Sequence, residues 1–223
     1  MTDLKNIMKN HLFKFNYEYD KEQLKKEFAI MSESIDTELH TVNSELLYRV
    51  ANNRNDIDPD IFPKYHDLKD KERWDNIDSW TIRAFSGGND YDTYELFQQR
   101  CPEMKRISEE LTKVVGSAGG NLMVPYFLLQ EQDTEVPVHI DMGFKCAINL
   151  IVDGSNTPIY FRDEDGTVTE YNYDNALLNV CGVFHGVPEQ QDTRRIILKF
   201  RIVDVPYEVA RERMVEYFGD SQT

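Results

Sequence analysis

Cysteine is scarce in this chain. Cys101, Cys146 and Cys181 make an odd number with no C-x-x-C spacing, which argues against both a disulfide framework and a zinc knuckle. A reducing, cytoplasmic setting is the expectation. No stretch approaches the roughly 18 consecutive apolar residues of a membrane helix, so a soluble protein without a membrane partner is expected. The opening "MTDLKNIMKNHLFKF" lacks an apolar segment followed by a small-residue cleavage site, and no secretory signal is expected there. Basic residues are also in short supply. With 25 Lys and Arg against 40 Asp and Glu, the net charge of -15 would repel a phosphate backbone, so no nucleic-acid partner is expected. Most of that acidity reads as solvated surface. The glycine pairs at 87–88 and 119–120 belong to no G-x-x-x-x-G-K loop and to no strand-glycine-helix unit, and read as turns.

What is present suits one domain. The 223 residues are 40% hydrophobic and 12% aromatic, enough to bury a substantial core. Residues 1–120 read as a helical and loop region packed on a core, 121–205 as the core and 206–223 as a C-terminal helix. "YDKEQLKKEFAIMSES" predicts an early amphipathic helix with Leu24, Phe28 and Ile30 inward, and residues 50–75, dense in Asn, Asp, Pro and charge, predict a long loop. "SWTIRAFSGG" predicts a strand. A helix is expected from Pro102, with Met104, Ile107, Leu111 and Val114 at spacings of three or four. From residue 121 the texture changes to short β-prone runs such as "FKCAINLIV", "TPIYFRD", "ALLNVCGVFHGV" and "RRIILKFRIVDV", divided by turn material like "DGSN" and "DEDG". That pattern predicts a mainly β sandwich or jelly roll with flanking helices. There is no internal repeat.

Within "PVHIDMGF", His139 and Asp141 flank one isoleucine. Residues i and i+2 of a strand share a face, so the two side chains can reach one ion, although alone the pair reads equally as an ordinary piece of strand. His185 follows 46 residues later in the same β-rich half. Two imidazoles and one carboxylate on a rigid sheet match the facial triad that leaves open positions on Fe(II) for oxygen chemistry. Ten residues after His185, "DTRRIILKFRI" opens a strand with Arg194 and Arg195. A guanidinium there can clamp the carboxylate of an organic acid that chelates the iron through its other end. If Arg195 faces inward, Ile197, Lys199 and Arg201 follow it, and Ile196, Leu198, Phe200 and Ile202 meet the covering helices. If Arg194 faces inward, the apolar stripe fills the interior. The first register is preferred because an all-apolar stripe suits a helix-packed face.

Residues 121–204, a little over a third of the chain, resemble the Fe(II)/2-oxoglutarate-dependent oxygenase superfamily. The resemblance runs through "VPVHID", "CAINLIV", "PIYFRDEDG", "FHGV" and "RRIILKF", and its texture is similar to the prolyl and aspartyl/asparaginyl hydroxylase branches and to oxygenases carried by tailed phages. It implies a double-stranded β-helix core of the jelly-roll, cupin-like kind. It implies Fe(II) held by His139, Asp141 and His185, and 2-oxoglutarate held by Arg195, with Arg194 as competitor. It also implies dioxygen as oxidant and hydroxylation of a C–H bond, with succinate and carbon dioxide released. Asn149 and Gln130 stand where relatives place polar residues that touch 2-oxoglutarate or line the pocket, and a buried Asn bonded to backbone is the equal alternative. The substrate is expected to be an amino-acid side chain in a protein or peptide, a free amino acid or another small metabolite, with a mild preference for a Lys/Arg-rich partner. Two other readings stay open: a non-enzymatic protein-binding module of the same fold, and a cupin-like metalloenzyme of another reaction type. His11, His40 and His66 receive no role, Tyr126, Tyr160 and Phe161 read as core or wall, and Cys146 and Cys181 read as buried strand residues. The oligomeric state is not written in the sequence.

Overall fold

The computed structural model describes residues 11–34, 39–40, 82–86, 99–117, 123–130, 132, 136–141, 144–154, 157–188 and 194–219. The expected loop at 50–75, His66 and both glycine pairs lie outside the described residues. The β-prone runs after residue 121 form strands β4 (Met123–Gln130), β5 (Val136–His139), β6 (Cys146–Asp153), β7 (Ile159–Arg162), β8 (Val168–Tyr171), β9 (Asn175–Leu178), β10 (Phe184–Val187) and β11 (Arg195–Ile202). Four of them pair in the order β9-β6-β11-β4 and the other four as β5-β10-β7-β8, every pair antiparallel. The chain crosses from one sheet to the other at nearly every connection. That alternation makes the core a double-stranded β-helix of jelly-roll type, mainly β with flanking helices, and the two sheets face each other without closing into a barrel.

Three strands from the N-terminal part widen the larger sheet: β1 (Leu12–Lys14) beside β9, then β3 (Ile82–Ser86) and β2 (Leu39–His40) beyond β4. Only β3 was expected from sequence. β1 is three residues long, too short for a period of two to declare itself.

Strand alternation divides the buried residues into two sets. Phe127 and Leu129 of β4, Ile148, Leu150 and Val152 of β6, and Ile196, Leu198, Phe200 and Ile202 of β11 face the helices. Those helices are α1 (Lys21–Ser34), α2 (Pro102–Val115) and α3 (Tyr207–Phe218). Ala147, Ile151, Ala176 and Ile197 point the other way, toward Val136, Ile159, Phe161 and Tyr171 of the smaller sheet. Each valine, leucine, isoleucine or phenylalanine among them, fully buried, contributes about 1.5–3 kcal/mol.

Helix α1 turns Leu24, Phe28 and Met31 into the core, where the sequence pattern had Ile30. In α2 the buried set is Met104, Ile107, Leu111 and Val115. Val114, expected inward, packs only at the margin because a step of four from Leu111 keeps the apolar stripe straight. Pro102 occupies the first helical turn, yet the N-cap Cys101 supplies no side-chain bond. The cap comes from another helix. Glu27 of α1, 0% exposed, accepts from the Glu103 and Met104 backbone N–H groups at 2.8 and 2.9 Å, placing a carboxylate on the positive end of α2.

"ALLNVCGVFHGV" divides at a turn into β9 and β10. Gly182 and Val183 N–H both donate to the Asn179 carbonyl at 3.3 and 3.1 Å, and a Cβ on Gly182 would stand 2.5 Å from Asn179 Oδ1. Cys181 therefore sits half-buried in a turn, outside any strand, whereas Cys146 is buried in β6 as expected.

His11 is 1% exposed and fully engaged, against the expectation that it would have no role. Its Nε2 lies 2.6 Å from Asp163 Oδ1 and its Nδ1 3.0 Å from the Tyr171 hydroxyl, and its ring stacks on Phe161 at 5.1 Å. This histidine ties the edge of the larger sheet to the β7–β8 hairpin. No helix among the described residues is long and apolar enough to cross a membrane.

Candidate functional site

His139 closes β5, Asp141 follows it by two residues, and His185 lies in β10 directly opposite His139 in the antiparallel register. The pairing brings the two imidazole rings to 4.3 Å between centroids. Asp141 has left the strand ladder, but its backbone N–H donates to the Val180 carbonyl at 3.0 Å, in the turn that leads into β10. One ligand atom from each of His139, Asp141 and His185 lies within 4.8 Å of the others. That is a three-donor set on one face of the smaller sheet.

The states of His185 and Asp141 suit metal ligation. His185 Nδ1 faces the Val183 carbonyl at 3.3 Å, and since a carbonyl can only accept, Nδ1 carries the proton and Nε2 keeps its lone pair. Burial, reinforced by the neighbouring His139, pushes the His185 imidazolium down to about 3 from an ordinary 6.5, so the ring is neutral at physiological pH. Burial works against the charge of Asp141. The Lys199 ammonium and the His139 hydrogen bond outweigh it and hold the carboxyl well below its usual range. Lys199, buried and itself disfavoured by desolvation, is kept charged by the same contact, with Nζ 2.6 Å from Asp141 Oδ2. The other carboxylate oxygen, Oδ1, is turned toward His139 Nε2 at 3.3 Å. The two oxygens thus have separate tasks: one is held by lysine, the other faces the imidazoles.

A second polar cluster lies on the inner face of the larger sheet. Arg195 is 1% exposed, and Arg194 is exposed. Arg195 Nη2 donates to the Tyr173 hydroxyl oxygen at 3.0 Å, and Asn149 Nδ2 donates to the same oxygen at 3.0 Å. Gln130 stands directly opposite Arg195 in the β4–β11 register and is buried. Arg195 Nε and Nη1 and Asn149 Oδ1 have no protein hydrogen bond among the described residues. Exchanging the amide oxygen and nitrogen of Asn149 leaves one of its atoms unpartnered in either orientation. With Asn149 in the orientation that donates, both phenol lone pairs are in use and the Tyr173 proton points away from them. A buried arginine with two free N–H directions beside a phenol O–H is suited to one carboxylate.

The structure therefore brings His139, Asp141 and His185 together, and Arg195, Asn149 and Gln130 together, and leaves Arg194 outside. Strand β11 connects the two groups, because Arg195 and Lys199 share its inner face with Ile197 and Arg201. Sequence reasoning missed Tyr173, whose only signal was the alternation in "TVTEYNY" with Tyr171. It also missed the pairing of Lys199 with Asp141, which depends on a loop position that no periodicity reports.

No model of a known protein family matches the chain, and no curated protein is similar to it in sequence. Solved structures are similar in shape. One is an oxidoreductase of the 2OG-Fe(II) oxygenase family from Burkholderia pseudomallei, 8% identical over 60% of this chain and 73% of that one, with a TM-score of 0.39. Another is a prolyl hydroxylase from Trichoplax adhaerens in complex with a hypoxia inducible factor oxygen degradation domain peptide, 13% identical over 59% and 65%, TM-score 0.42. A third is HygX from Streptomyces hygroscopicus with nickel and 2-oxoglutarate bound, 10% identical over 90% and 85%, TM-score 0.45. The likeness to 2OG-Fe(II) oxygenases is one of fold.

Proposed function

We propose that the protein is an Fe(II)- and 2-oxoglutarate-dependent dioxygenase that hydroxylates a C–H bond of an amino-acid side chain or small metabolite. The observation that carries this reading is the buried Arg195 with two unpartnered guanidinium nitrogens, on the strand whose inner face also meets the His139, Asp141 and His185 donor set. Two imidazoles and one carboxylate oxygen are the donors Fe(II) takes in a facial triad, and the orphaned donors at Arg195 are what a dicarboxylate's far end requires.

When bound, Fe(II) together with 2-oxoglutarate and dioxygen supplies the oxidising power that converts C–H to C–OH, with succinate and carbon dioxide as co-products. The chain's own groups do the positioning. His139, the Oδ1 of Asp141 and the Nε2 of His185 would hold the metal. The Val183 carbonyl fixes the His185 tautomer, and Lys199 holds Asp141 Oδ2 so that the carboxylate offers a single oxygen. Arg195 and Tyr173 would receive the distal carboxylate of 2-oxoglutarate, while Ile197, Ile151 and Ala147 keep water from the space between the sheets.

One observation favours the binding-module alternative: Lys199 already neutralises Asp141 in the protein without metal. Anaerobic titration with Fe(II) and 2-oxoglutarate separates the two. A weak visible charge-transfer band, lost in His139→Ala, is the expected result. A correctly folded protein that binds Fe(II) with no such band would refute the oxygenase and leave the binding module.

A further inference from the structure

We propose that the substrate of this site carries an oxyanion, a carboxylate or a phosphate ester, and that Arg201 receives it. The word substrate rests on the reading above; the receptor itself rests on the geometry of β11. Alternate residues of a strand share a face at about 3.3–3.4 Å per residue. Lys199 marks the level of the donor set, since its ammonium touches Asp141. Arg195 lies four residues to one side, about 13 Å along the strand, and Arg201 two residues to the other, about 7 Å. The donor set is flanked by two arginines, one of which already has an occupant in the proposed reaction.

The chemistry at Arg201 is that of a receptor. Its Nε donates to the Tyr126 hydroxyl at 3.0 Å, and the guanidinium lies 4.6 Å from the Tyr126 ring centroid and 5.5 Å from that of Phe144. No carboxylate among the described residues pairs with it, and its two terminal nitrogens make no hydrogen bond there. Two aromatic rings thus hold the fork while its end stays free, the arrangement in which a planar guanidinium takes two oxygens of one anion.

The surroundings reinforce the sign of the charge. Lys199 and Arg201 both stand over the Phe144 ring, 5.4 and 5.5 Å from its centroid. Two cations therefore meet at this end of the inner face of β11. Lys199 is compensated by Asp141, and Arg201 is compensated by nothing among the described residues. In a chain of net charge -15 such a spot is no general property of the surface. It favours an anion over the Lys/Arg-rich partner that the net charge suggested, because at contact the nearest charges set the field.

The test uses the full chain, isotope-labelled for NMR, with acetate and inorganic phosphate as separate probes. The Arg201 Nε–H signal is assigned by its loss in Arg201→Lys, and the Phe144 amide serves as a second reporter. Saturable movement of both signals, half-complete below about 10 mM, is expected in wild type and in Arg195→Met, with the Phe144 shift gone in Arg201→Gln. A response to acetate alone assigns a carboxylate, and to phosphate alone a phosphate ester. Non-saturable drift with both probes, or a Phe144 shift that survives in Arg201→Gln, overturns the proposal. The Fe(II)–2-oxoglutarate band is recorded on the same preparations. A missing band with saturable binding defeats the oxygenase and leaves an anion receptor serving other chemistry, while a normal band without binding defeats the receptor alone.

Discussion

Replacing Arg195 by methionine separates a ligand-binding arginine from a structural one. In the protein alone, the side chain is 1% exposed, with Nε and Nη1 lacking protein partners. Each unsatisfied buried polar group costs about 1–3 kcal/mol, so removing two relieves about 2–6 kcal/mol. Against this, the variant loses the Nη2 bond to Tyr173, about 1.5–3 kcal/mol for a charged donor. It also loses the guanidinium over the Tyr173 ring at 5.6 Å, about 0.5–2 kcal/mol. The two sides nearly cancel. Arg195→Met should therefore unfold in urea within about 2 kcal/mol of wild type, whereas stripping an arginine from a complete buried ion pair costs about 3–5 kcal/mol. With metal and 2-oxoglutarate at about one hundred times its dissociation constant, wild type gains about 2.7 kcal/mol and the variant should gain almost none. A loss above about 3 kcal/mol without ligand would make Arg195 a structural residue and refute the reasoning. So would a full gain from 2-oxoglutarate in the variant.

Two further outcomes follow from the same structure. Glu27→Ala removes the cap that bonds two N–H groups of α2, and should cost about 2–4 kcal/mol in denaturant unfolding; a change under about 0.5 kcal/mol would mean that water caps the helix equally well. His185 is held near 3 in the folded, metal-free protein against 6.5 when unfolded, so the unfolded chain binds the extra proton. Its contribution is complete above about pH 6.5 and falls as pH drops toward 3, by about 1.4 kcal/mol per unit. Between about pH 7 and pH 5, chelator-treated wild type should lose about 2 kcal/mol more than His185→Gln, and equal losses would show that the ring protonates freely while folded.

The parts of the fold legible in the sequence were those that repeat. Alternation in "RRIILKFRI" marked the helix-facing stripe Ile196, Leu198, Phe200 and Ile202, and with it the inward placement of Arg195 and Lys199. Spacing in α2 marked Met104, Ile107 and Leu111. What escaped was set by contacts distant in the chain. His11 looked idle because its partners Asp163 and Tyr171 lie more than 150 residues away. The Asn179–Gly182 turn was hidden among β-branched and apolar neighbours, with one asparagine and one glycine as its only signals. The His139 and Asp141 spacing was visible, but its juxtaposition with His185 required the β5–β10 register, which no local pattern contains.

Strand β11 shows why such a site needs this architecture. A strand buried on both faces tolerates charged residues only where a partner or ligand satisfies them. Its helix-facing side is wholly apolar, while its inner side carries Arg195, Lys199 and Arg201. Lys199 finds Asp141, Arg195 finds part of its need in Tyr173, and Arg201 finds two rings and one hydroxyl. The buried Arg195 keeps the largest shortfall, while the half-buried Arg201 has its terminal nitrogens within reach of water. Unmet hydrogen-bonding capacity held in place by a rigid apolar support is the physical condition for selective binding, since an anion of the right shape recovers what the fold withholds.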